Sequence, residues 1–120
     1  MARERFPRSV YAHGDEPDAR FTLANERTFL AWIRTSLALM AGGVALEALG
    51  LGLHPGLQLA ASIVLMITGI LTPLQAWFGW ARNERALRQN TPLPSSIFAL
   101  PTMVAVIVAG VLVLLAIVLR

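Results

Sequence analysis

Three arginines, Arg20, Arg27 and Arg34, follow one another at intervals of seven residues. Seven residues make nearly two helical turns, so on one helix they share a face, with rungs about 10 Å apart. Ala24, Ala31 and Ala38 repeat on the same interval, with Thr28 and Thr35 beside them. A face that is small and basic suits a track for a polyanion, because the arginine fork meets phosphate oxygens two at a time. The spacing equally suits a second reading, in which Arg20 and Arg27 hold lipid headgroups and Arg34 snorkels to the interface. A second basic group, Arg82, Arg85 and Arg88, comes later. The tripeptide Asn-Glu-Arg occurs in both places, as Asn25-Glu26-Arg27 and Asn83-Glu84-Arg85. If both copies lie at one membrane surface, Glu26 can pair with Arg82 or Arg85, and Glu84 with Arg27. Separate solvated charges are the alternative. The candidate anion ligands are thus Arg20, Arg27, Arg34, Arg82 and Arg85. Asn25, Glu26 and Glu84 are the candidate structural counter-ion group.

The elements that must position these residues follow from where charge is missing. The 120 residues are 56% hydrophobic and 14% charged, and no charged residue falls between Glu47 and Arg82 or between Arg88 and Arg120. Each gap exceeds the roughly 20 apolar residues that cross a bilayer. The expected fold is all-α and integral to the membrane, with spans at about 30–51, 57–80 and 97–119. Asp18 can cap a helix, and the amphipathic stretch from Asp18 to Phe29 reads as a helix on or rising from the cytoplasmic surface, ahead of the first span. Residues 1–17, polar and turn-rich, read as a flexible tail, and 18–120 as one three-helix transmembrane domain. Pro73 should kink the second span, tolerably so if a Thr or Ser hydroxyl satisfies the carbonyl it frees. Trp77, Phe78 and Trp80 form an aromatic belt at its end, and Glu84 and Arg88 make a favourable i,i+4 pair beyond it. The arginines flank the start of span one and the end of span two, which places the N-terminus in the cytoplasm and the C-terminus outside.

Other chemistry is sparse. There is no cysteine, and His13 and His54 are far apart, so neither thiol chemistry nor metal-ligand spacing is present. Without a nucleophile–base pair or a glycine-rich phosphate loop, no enzyme, cofactor or nucleic-acid partner is expected. All ten basic residues are arginine, which fits bidentate anion binding and fits coding-DNA composition as well. Glu47 lies near the outer end of span one. It reads as an interfacial carboxylate or, less simply, as the ion-binding group of a small cation/proton transporter. Gly42 and Gly43, with Ala38 and Ala45, form a small-residue stripe of the kind that packs helices or subunits together. Gln75 could bond across helices.

The block "LANERTFLAWIRTSLALMAGG", residues 23 to 43, resembles the YidH-type family of small bacterial inner-membrane proteins, a domain of unknown function. The likeness covers about residues 18 to 120 and implies a multi-pass protein of the bacterial inner membrane. The block is also similar to the transmembrane part of the eukaryotic vacuolar transporter chaperone complex, which passes polyphosphate through a channel of its membrane helices. That family's motif, a basic residue, three residues and then Ala-Asn-Glu-Arg, is matched by Arg20 and Ala24 to Arg27. The basic cluster after the second span matches through Arg82, Arg85 and Arg88, although Asn83 and Glu84 interrupt it. The polymerase and phosphate-sensing domains have no counterpart here, so the likeness implies no synthesis. It implies a homo-oligomer whose first spans surround a basic cytoplasmic vestibule. Such a vestibule binds, and is a candidate to conduct, phosphate-rich anions such as polyphosphate. The competing expectation is an accessory membrane subunit that holds anionic lipid or another membrane protein without transport.

Overall fold

A computed structural model describes residues 6–94 and 99–120 of the chain. After a one-turn helix α1 (Arg8–Tyr11) come three long helices, α2 (Ala19–Ala48), α3 (Pro55–Arg88) and α4 (Ala99–Val118). All three long helices are long and apolar enough to cross a membrane. Their large side chains are largely exposed, including Leu30, Leu37, Ile67, Leu71, Leu114 and Ile117. Exposed aliphatic surface on this scale fits lipid as the surrounding solvent.

One boundary differs from expectation. The surface helix and first span are one continuous α2, because nothing between Ala19 and Ala48 breaks the backbone hydrogen bonding. As the helical i,i+4 spacing of Glu84 and Arg88 leads one to expect, the aromatic belt runs without a break into the basic end of α3, which extends eight residues past Trp80. The first two residues of the expected third span lie outside the described residues.

Local chemistry explains the ends. Asp18 caps α2 through its carboxylate, which accepts from the backbone N–H of Arg20 at 2.9 Å. His54 caps α3 in the same way, Nδ1 accepting from Leu57 N–H, with Pro55 at the first helical position. α3 closes in a Schellman arrangement: Thr91 N–H bonds Ala86 O, Asn90 N–H bonds Leu87 O, and Asn90 takes φ of 53°. Pro92 follows and cannot extend the helix.

α2 and α3 are antiparallel, and α4 runs back along α3. Both α2 and α4 pack on α3 and not on each other. α3 is therefore the central helix of a row, not one corner of a closed bundle. The α2–α3 seam is made close by small residues at matching heights. A Cβ on Gly43 would sit 3.0 Å from Ser62 O, and one on Gly69 would sit 3.0 Å from Ser36 O and 2.6 Å from Met40 Cγ. Of the expected small stripe, Gly43 serves this seam, whereas Ala38 faces outward.

The expected proline defect is present and is repaired across the seam. Pro73 has no N–H to donate to Gly69 O, four residues earlier. Ser36 of α2, 1% exposed, donates its hydroxyl to that carbonyl. Ser36→Ala should lower stability by about 1–3 kcal/mol, because it strands a buried carbonyl. In a Pro73→Ala background, where residue 73 regains its N–H, the loss from Ser36→Ala should largely vanish. Thermal unfolding of the four proteins in one detergent checks this, and equal losses in both backgrounds would refute the repair.

Candidate functional site

The basic end of the molecule is built from the first three turns of α2, the last three of α3 and the segment before α2. At its centre is Glu84, 1% exposed. Its carboxylate accepts from Thr22 Oγ1 at 3.1 Å and from Asn25 Nδ2 at 3.4 Å. Asn25, itself buried, also donates to Trp80 O at 3.0 Å. This buried carboxylate, held by neutral donors among the described residues, ties the two helices together and is closed to an external ligand.

This corrects the expected pairing. Glu84 meets Thr22 and Asn25 rather than Arg27, and Glu26 pairs with neither Arg82 nor Arg85 among the described residues. The reason is angular. Asn25 faces α3, and the next two residues, turned by about 100° each, face out. Nor does Arg88 pair with Glu84. It is 7% exposed and points the other way, toward the segment preceding α2.

That segment, the described part of the expected tail, lies along α3 as a strap. Arg88 donates to the carbonyls of His13 (2.8 Å) and Tyr11 (3.1 Å), meets the Glu16 carboxylate at 3.4 Å, and stands 5.3 Å from the Tyr11 ring centroid. Arg85 donates to Ser9 O through Nε at 3.1 Å and through Nη2. Phe6 stacks on Trp77, and Tyr11 packs on Trp80. Asp15 N–H bonds Arg88 O at 2.9 Å, and Gly14, at φ 66°, passes so close that a Cβ there would lie 2.2 Å from that oxygen. The belt tryptophans and two of the three late arginines are thus occupied by the chain's own N-terminal segment. The only sequence signal of the strap is the aromatic residues Phe6 and Tyr11 among polar ones.

The ladder has the opposite character. Arg20, Arg27 and Arg34 are all exposed, as are Ala24, Ala31 and Ala38 between them. Arg20 is locally engaged, its guanidinium 3.1 Å from Asp18 Oδ2, and these bonds hold the Asp18 carboxyl below the usual carboxylate range. Arg27 and Arg34 have no hydrogen-bonding or ionic partner among the described residues. Arg82 is also exposed and without such a partner, but it stands elsewhere, on the rim of a cavity between α2 and α3. At the far end Glu47 accepts from buried Ser62 at 3.3 Å, and His54 is spent on its cap. Among the described residues no group of His, Asp and Glu could hold a metal ion.

Comparison with known proteins places this architecture. A family model described as "Domain of unknown function (DUF202)" matches residues 20–86. The chain is 41% identical over 104 residues to "Inner membrane protein YidH" of Escherichia coli K12, covering 81% of this chain and 90% of that protein. It is 51% identical over 80 residues to "Uncharacterized protein Rv2272" of Mycobacterium tuberculosis, 66% of each chain. No solved structure gives a significant match.

The strap geometry makes a direct prediction. Gly14→Ala should lift the strap, raising hydrogen exchange of the amides from Val10 to Glu16 by about an order of magnitude or more while exchange in α3 below Trp80 stays slow. Unchanged protection of that segment would show that the close approach at Arg88 does not hold it.

Proposed function

The chain belongs to the DUF202 family, and we propose that it is a homo-oligomeric inner-membrane protein whose α2 face binds phosphate-rich anions such as polyphosphate at its cytoplasmic end. The observation that carries this reading is that Arg27 and Arg34 are exposed and without a partner among the described residues, on a face they share with Ala24, Ala31 and Ala38. An arginine at membrane depth needs an anion, water or lipid phosphate to complete it. Leu23, Leu30, Leu37 and Val44 are exposed beside the ladder, also every seven residues. That repeat is the pattern by which helices of separate subunits associate, and it supports several copies of α2 around one axis. Around such an axis Arg27 forms a ring that concentrates anions and excludes cations, with exposed Glu26 of a neighbouring copy moderating the repulsion between rungs. The arginine distribution supports a cytoplasmic N-terminus, and the resemblance to the vacuolar transporter chaperone membrane domain supports a phosphate polymer as ligand.

Within this reading the ligands are Arg20, Arg27 and Arg34. Arg85 and Arg88 act through the strap, and Asn25 and Glu84 hold the helix pair. The test is binding of short-chain polyphosphate to the full-length protein in nanodiscs of neutral lipid. Arg27→Ala should weaken binding about tenfold or more, the worth of a lost charge-assisted contact. Native mass spectrometry should show the same discrete oligomer for both proteins. Equal binding by Arg27→Ala would defeat the proposal, and a monomeric protein with a stoichiometric foreign subunit would favour the accessory role.

A further inference from the structure

Because α2 and α4 do not touch, α3 forms the floor of a trough between them. At the basic end of the trough is a cavity of about 100 Å³ lined by Asn25, Thr28, Trp32, Gln75, Trp80 and Arg82, among others. Deeper along α3 is a groove of about 370 Å³, whose walls include Leu71, Leu74, Phe78, Pro101 and Ala105. Gln75 lines both spaces, so its side chain stands between them. Its Nε2 is buried and has no hydrogen-bond partner among the described residues, a donor in want of an acceptor. Arg82, seven residues and about 10 Å toward the basic end, is a cation likewise without a partner among the described residues. The groove beyond asks for the reverse chemistry. The hydroxyls of Thr68 and Thr72 are spent on the carbonyls of Val64 and Thr68, so they donate nothing to an occupant.

The occupant that satisfies all three demands carries a negative charge, oxygen acceptors and an apolar chain. We propose that this trough is a binding site for one anionic phospholipid, its phosphate oxygens between Gln75 Nε2 and the Arg82 guanidinium and an acyl chain in the α3–α4 groove. A free phosphate answers only the upper cavity and leaves the groove unexplained, which is why a lipid is the occupant. The site stands apart from the anion-binding reading of α2, since Arg20, Arg27 and Arg34 line neither space.

The experiment is native mass spectrometry of the delipidated full-length protein titrated with phosphatidylglycerol, phosphatidylcholine or inorganic phosphate. Phosphatidylglycerol should bind once per chain and at least tenfold more tightly than the other two. Gln75→Leu, of similar volume and without the donor, and Arg82→Gln should each remove most of that preference. Ala105→Phe, which fills the groove, should abolish lipid binding. Arg27→Ala should leave the lipid titration unchanged whether or not it alters polyphosphate binding, so the two proposals fail separately. Thermal unfolding of each variant in lipid-free detergent confirms that it folds, with Gln75→Met replacing Gln75→Leu if the latter does not. Equal binding of the two lipids, or a preference that survives both Gln75→Leu and Arg82→Gln, overturns the site. Phosphate binding as tight as that of phosphatidylglycerol and indifferent to Ala105→Phe also overturns it, leaving a headgroup pocket only.

Discussion

The hydrogen bond from Ser36 to Gly69 O is the contact around which the rest of the molecule is arranged. Three residue types must coincide for it. Pro73 frees the carbonyl, Gly69 carries no side chain to keep α2 away, and Ser36 is short enough to reach across at a backbone approach near van der Waals contact. In a bilayer no water completes a broken helix, so the defect in α3 is tolerable only while α2 is docked. This makes the α2–α3 pair one unit. It also sets their register, which in turn brings Asn25 to Glu84 at one end and Glu47 to Ser62 at the other.

That register sorts the charges at the basic end into two populations. Glu84, Arg88 and Arg85 are used internally, tying α2, α3 and the strap together through carbonyls, a hydroxyl and an amide. Arg27, Arg34 and Arg82 are left without partners among the described residues. The first population explains how a small row of helices with little buried apolar surface keeps a defined polar end. The second is where an external anion would find uncommitted donors. The two uncommitted regions also differ in surroundings. Arg27 and Arg34 stand on an exposed face with Ala24, Ala31 and Ala38, beside Leu23, Leu30 and Leu37. Arg82 lines a cavity that shares Gln75 with an apolar groove between α3 and α4.

Much of the architecture was legible in the residues themselves. Gaps free of charge mark most of α3 and all of α4, the apolar run from Leu30 marks the first span, Asp18 marks the start of α2, Pro92 the end of α3, and Pro73 the defect within it, because each acts through local covalent geometry or through transfer to an apolar solvent. The heptad of arginines likewise determines that Arg20, Arg27 and Arg34 share a face. Periodicity gives relative angle along one helix, but it carries no information about which sector meets another helix. Only the packing of α2 on α3 decided that Asn25 turns inward to Glu84 while Glu26 and Arg27 turn out, and that Ser36 rather than any other hydroxyl serves the proline. Only the tertiary structure brought Ser9, Tyr11 and His13 onto Arg85 and Arg88, since backbone carbonyls leave no signature in sequence. The open trough beneath Gln75 has the same origin: it exists because α2 and α4 share α3 without touching, a fact of helix placement to which no single residue testifies.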